Sequence, residues 1–182
     1  MPVLNCCRAV LLATLLPAAV QATPMDRFVA VAAERNAIAH QVAAFKYPAA
    51  RPVEDPVREA QVLQDKRVRA TQLGLDAEAV VHFYRQLIEA NKLIQHVAFH
   101  RYAAGEVPAP TPSLEELRGM IDVADETLLA LWPGIAPQRG QPGCTKTVAE
   151  AVDHSMQEAV GHVALVRAMI DLCRPEAGGR RR

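Results

Sequence analysis

The sequence predicts an all-α fold, a compact helical bundle of about five to six helices, on three observations. Apolar residues recur at helical rather than alternating spacing. The chain is rich in Ala, Leu, Val, Glu and Arg, and aromatic residues make up only 4% of it, so no strand is read. Helix-start signals with a capping mechanism precede several of the periodic runs, and the connections between them are short enough for neighbouring helices to pack side by side.

Residues 1–22 come before the bundle. They carry one positive charge, Arg8, then an apolar run from Ala9 to Val20, and end in Val20-Gln21-Ala22, with small residues where signal peptidase needs them. The run contains Pro17 and falls short of the roughly 20 apolar residues that a membrane span requires. A signal peptide cleaved near Ala22 is therefore expected, with a retained anchor as the alternative. Residues 23–182 then form a single domain, large enough to bury about two-thirds of its unfolded surface.

The first helix is expected from about Asp26 to Lys46, ending before the loop Tyr47-Pro48-Ala49-Ala50-Arg51-Pro52. Asp55-Pro56 starts the second, because a proline at the first helical position lacks only an N–H that would have gone unbonded anyway. That helix should reach about Thr71. After the turn at Gly74 and Asp76, a third runs from about Ala77 to Ala103. Pro108, Pro110 and Pro112 stiffen the next connection, and Ser113 with Glu116 forms a capping box for a fourth helix that should end near Trp132-Pro133. A Pro/Gly-rich loop is expected from Pro133 to Gly143. Residues 144–173 should be helical with a break near Asp153-His154.

Cys6 and Cys7 leave with the signal. Cys144 and Cys173 remain, so one disulfide is the only intramolecular pairing possible, two buried thiols being the alternative. The formal net charge is zero, which argues against nucleic-acid partners and polybasic membrane association, since both need an excess of one sign over a large area. The terminal Arg180 to Arg182 read as a solvated tail.

Function is sought in polar residues on faces that should be apolar. Arg35 and Lys46 are eleven residues apart, which returns to within about 20° of the starting direction, so they share a helix face with Val31, Ile38 and Val42. A lone arginine there could pair with Glu34 or reach the surface along its stem. On the third helix Leu87, Ile88, Ile94 and Ala98 define the inner face, and Asn91 and Gln95 fall within it. On the fourth, Leu114, Leu117 and Ile121 set the inner face with Arg118 at its edge. Asp55, Arg58 and Glu59 occupy the first turn of the second helix, where unbonded N–H groups can receive an oxygen. Burying several cations without matching acids is costly, so a bound small dianion is the economical explanation. The set holds no nucleophile-base pair. It suits a unimolecular rearrangement, in which catalysis consists of holding a reactive conformer and stabilising charge on a departing oxygen.

At these residues the sequence resembles the all-helical chorismate mutases, specifically their exported subclass. The pattern is Arg35, Lys46, then Arg51-Pro52-Val53-Glu54-Asp55-Pro56-Val57-Arg58-Glu59, then Leu75-Asp76, then Asn91 and Gln95, a core motif over residues 35–95. The subclass adds a signal peptide, an arginine on a later helix and a disulfide tying the C-terminal helices, matched by Arg118 and by Cys144 with Cys173 across residues 144–173. The resemblance implies that Arg35, Arg58 and Arg118 bind the two carboxylates of chorismate and that Lys46 and Gln95 donate to its ether oxygen. Glu59 and the backbone at Asp55 would hold the ring hydroxyl, and Asn91 would lie near a carboxylate. It implies no cofactor, and a homodimer in which Arg118 completes each site within one protomer. Val62 stands where some exported members carry glutamine.

Two rival readings come from other classes. His96 and His100 at i and i+4, with His82, His154 and His162 elsewhere, could serve a metal- or haem-binding bundle, but no Cys-x-x-Cys-His is present and Val97 replaces the glutamate of a His-Glu-x-x-His site. No metal ligand set is assigned. The other rival is a periplasmic binding protein that keeps the pocket with little turnover.

Overall fold

A computed structural model describes residues 22–155 and 158–173. Residues 1–21 of the expected signal segment, with Cys6 and Cys7, and the arginine tail lie outside the described residues. Among those described there are six α-helices and no strand: α1 (Pro24–Lys46), α2 (Pro56–Gln72), α3 (Ala77–Ala103), α4 (Leu114–Arg139), α5 (Cys144–His154) and α6 (Ala159–Met169). None of them is long and apolar enough to cross a membrane.

Local chemistry sets the boundaries. Thr23 caps α1 by accepting from the Asp26 N–H, while the Asp26 carboxylate takes the Thr23 N–H, so α1 begins at Pro24, slightly before the expected start. Asp55, Asp76 and Ser113 cap α2, α3 and α4 in the same manner, each accepting a backbone N–H from the first turn.

One expectation fails at the end of α4. The helix does not stop at Trp132-Pro133 but continues through Pro133 and Pro137 to Arg139, so the expected loop shrinks to a few residues around Gly140 and Gly143. Proline in a helix interior removes a ladder bond, and tertiary anchoring outweighs that cost here. Trp132 and Ile135 are fully buried. Arg139 stacks its guanidinium 4.5 Å from the centre of the Trp132 ring and donates from Nε to the Leu172 carbonyl at 2.9 Å.

Helix α1 lies at the centre of the bundle, packed against α3, α4, α5 and α6, and α3 packs in turn on α2 and α6. Phe28, Phe83 and Trp132 form an aromatic knot between α1, α3 and α4, with ring centroids 5.2 to 5.9 Å apart. A smaller cluster of Ile38, Val42 and Leu117, flanked by Phe45, Leu114 and Ile121, joins the second half of α1 to the start of α4. Cys144 and Cys173 form a disulfide with Cα atoms 5.7 Å apart, tying the start of α5 to the chain just after α6.

The loop between α1 and α2 is held down on α3. Tyr47 packs against Phe99 and Tyr102, at 5.3 and 5.2 Å between ring centroids. Ala50 adopts a left-handed φ of 49°, and the next N–H, of Arg51, bonds back to the Lys46 carbonyl at 3.0 Å. Chain reversal at this point brings Asp55 and the start of α2 beside the end of α1.

Candidate active site

The smaller apolar cluster floors a cavity of about 120 Å³ bounded by α1, α2, α3, α4 and the loop before α2. That is room for one small molecule rather than a polymer. Helix α1 contributes Arg35, Val42 and Lys46, one helical stripe in which two cations flank a valine. From α2 come Arg58, Glu59 and Val62, from α3 Ile88, Asn91, Lys92 and Gln95, and from α4 Leu114, Arg118, Ile121 and Asp122. Val53 and Asp55 supply the loop edge.

All eight residues singled out from the sequence, Arg35, Lys46, Asp55, Arg58, Glu59, Asn91, Gln95 and Arg118, line this one cavity. The lining carries five cations against three carboxylates, a surplus of two positive charges facing the interior. Such a surplus in a partly desolvated cleft favours a small dianion.

Lys46 is half-buried, and its Nζ donates to the Val53 carbonyl at 2.7 Å. Burial pushes its ammonium below the ordinary lysine pKa, and Arg118 pushes the same way, while Asp55, Glu54 and Glu59 act in the opposite sense. Gln95 is 4% exposed. Its Nε2 donates to Asn91 Oδ1 at 2.7 Å, and the remaining buried ends of this amide pair, Gln95 Oε1 and Asn91 Nδ2, have no hydrogen-bond partner among the described residues. Buried polar atoms without a partner are few in folded proteins, and these two belong to the cavity lining. Arg118 is more exposed and stands 3.9 Å from Asp55, a distance at which the pair adds little stability.

From the sequence, a bound anion is expected to face Arg35, with Glu34 or the surface as the alternative. Arg35 instead donates from Nε to Asp125 Oδ1 at 2.6 Å, both side chains being buried. One interior cation therefore does have a matching acid. The reading of α4 stopped at Ile121, yet the next step of four along the same stripe is Asp125.

Lys92 was also missed. It lines the cavity one residue after Asn91 and pairs with Glu59 at 3.2 Å and Glu89 at 2.7 Å. Burial pulls its ammonium pKa down, but the bonds to Glu89 and Glu59 outweigh that, and the net direction is up. Glu59 is thereby shared, one oxygen facing Lys92 and the other accepting from the Asp55 N–H at 3.3 Å. The histidines lie elsewhere: His96 is exposed and bonded to Glu54 at 2.7 Å, His100 is exposed, and His82 meets Asp171 at 2.8 Å. No group of three His, Cys, Asp or Glu among the described residues is placed to hold a metal ion.

Comparison with known proteins follows the same lines. The family described as chorismate mutase type II matches residues 26–96. The secreted chorismate mutase of Mycolicibacterium smegmatis is 30% identical over 134 residues, covering 72% of this chain and 74% of that protein. For the secreted chorismate mutase of Mycobacterium tuberculosis the identity is 31% over 111 residues, covering 59% of this chain and 56% of the relative, so the chain spans little more than half of its length. Among solved structures, the chorismate mutase from Burkholderia phymatum superposes with a TM-score of 0.80 at 30% identity, over 83% of this chain and 96% of that one.

Proposed function

The chain belongs to the type II chorismate mutases, and from that premise we propose how its residues divide the work of converting chorismate to prephenate. This is an intramolecular transfer, an isomerase reaction in which the ether bond to the ring breaks as a carbon–carbon bond forms. Neither a proton shuttle nor a covalent intermediate is required. Catalysis rests on holding the folded conformer and stabilising the charge that grows on the ether oxygen.

Arg35, Arg58 and Arg118 take the two carboxylates, for which forked guanidinium donors are suited. Asn91 Nδ2, a buried donor with no partner among the described residues, lies ready for a carboxylate oxygen. Lys46 and Gln95 donate to the ether oxygen. Of the three Lys46 hydrogens one is used on Val53, and of the two on Gln95 Nε2 one is used on Asn91, so each residue keeps a donor. Glu59 accepts from the ring hydroxyl, and the Asp55 N–H, which donates to Glu59 at 3.3 Å in the free chain, turns to donate to the hydroxyl oxygen. Lys92 holds Glu59 in place.

The observation that carries this reading is the convergence of all these groups on one cavity with two surplus positive charges. Each site is complete within one protomer, Arg118 serving in place of an arginine from a second subunit, and the protein acts as a homodimer. Residues 1–22 are a signal peptide cleaved near Ala22, residues 23–182 are the single catalytic domain, and the product is periplasmic or secreted. In support, two relatives are named secreted chorismate mutases. The test is direct: protein beginning at residue 23, mixed with chorismate and no added cofactor, should consume it and yield prephenate. Tight binding of chorismate without turnover would leave a binding protein instead.

A further inference from the structure

Three buried charges meet beneath the cavity. Asp125, fully buried, faces Arg35 Nε at 2.6 Å through one carboxylate oxygen and Lys66 Nζ at 3.0 Å through the other. Tyr84 closes the group. Its hydroxyl donates to the Asp125 backbone carbonyl at 2.9 Å, and its ring lies 5.4 Å from Lys66 Nζ. The four residues come from α1, α2, α3 and α4, the helices that wall the cavity, yet of these four residues Arg35 alone lines it.

The choice of nitrogen matters. Asp125 takes the Nε–H of Arg35, and that bond uses neither terminal nitrogen, the fork with which arginine grips a carboxylate. Charge matters as well. Asp125 alone would neutralise Arg35, whereas with Lys66 the three groups together keep one positive charge. We infer that Asp125 is a positioning residue that orients Arg35 for the substrate, with Lys66 as the counter-charge that keeps Arg35 electrostatically available. The inference rests on the reading of Arg35 as a carboxylate ligand.

A purely structural role for the group is separable from this one. In Lys66→Met/Asp125→Asn no charge pair is buried, yet an amide oxygen still accepts from Arg35 Nε. In Lys66→Met/Asp125→Leu that acceptor is gone. Expected is a kcat/KM within about threefold of the parent for the asparagine pair and a loss of about thirtyfold or more for the leucine pair, most of it in KM. Equal kcat/KM in the two variants overturns the inference. Asp125→Glu covers the case in which the leucine variant does not fold: it preserves charge balance but moves the carboxylate by one methylene. Positioning then requires a fall of about tenfold in kcat/KM, and an unchanged value overturns the inference. Arg35→Met, measured alongside, separates the two levels. If it leaves kcat/KM intact, the assignment of Arg35 fails. If it lowers kcat/KM while the variants at position 125 do not, only the role of Asp125 fails.

Discussion

Lys46 Nζ donates to the Val53 carbonyl at 2.7 Å, joining the end of α1 to the loop that leads into α2. Both residues line the cavity, so the bond holds the lysine in its wall before substrate arrives. Lys46→Ala should therefore lower kcat by at least about a hundredfold, the roughly 3 kcal/mol typical of one donor to a developing oxyanion. Steady-state kinetics on chorismate check this. A loss confined to KM would place Lys46 in substrate binding and not at the ether oxygen.

The same burial gives an expectation for pH. Desolvation holds the Lys46 ammonium below the ordinary lysine pKa, so kcat/KM should decline on the alkaline side earlier than a solvated lysine would dictate. The stability effect has the opposite sign. With the folded pKa below the unfolded one, the unfolded chain binds more protons between the two values, and stability contributed by this group rises with pH through that window. Lys46→Arg should move the alkaline limb beyond the accessible range, because guanidinium does not titrate there. A limb that stays in place belongs to another group.

Gln95 cannot ionise, so the donor role proposed for it should leave activity broad across neutral pH. A glutamate at this buried position can donate only when protonated. Gln95→Glu should then work best in acid and fall as its carboxyl ionises. Identical pH profiles for the two enzymes would remove Gln95 from the ether oxygen.

Arg118 and Lys46 line the same cavity from α4 and α1 of one chain. Mixing Arg118→Ala protein with Lys46→Ala protein should therefore restore no activity, however long subunits are allowed to exchange. Recovery toward a quarter to a half of wild-type activity is the signature of sites shared between protomers. Alone, Arg118→Ala should act chiefly on KM, since the carboxylate contact proposed for its half-exposed guanidinium would be made in ground and transition states alike.

How far these features were legible differs by element. The start of α3 followed from Asp76, whose carboxylate caps the helix by a local bond that needs no tertiary information. The end of α4 did not, because Pro133 argues locally for a stop while Trp132, Ile135 and Arg139 are held by residues distant in sequence. In the site, Arg35, Asn91 and Gln95 stood out as polar residues inside apolar stripes. Lys92 did not, since a lysine at a stripe edge looks solvated until α2 brings Glu59 against it. Asp125 was hidden for a related reason. An acid on α4 acquires meaning only when packing sets Arg35 and Lys66 on its two oxygens.

The disulfide should govern stability and leave chemistry alone. It closes a loop of 29 residues between Cys144 and Cys173, worth about 3 to 4 kcal/mol in the chain-entropy model. For a domain of this size, Cys144→Ser/Cys173→Ser should lower Tm by about 10 °C. The bridge ties α5 to the end of α6, whereas every cavity residue lies on α1 to α4 or the loop before α2, so kcat and KM at a temperature well below both melting points should hold. Reduced wild-type protein should melt with the serine variant. If kcat falls while the variant remains folded, the C-terminal helices must bear on the cavity through α3, against which α6 packs.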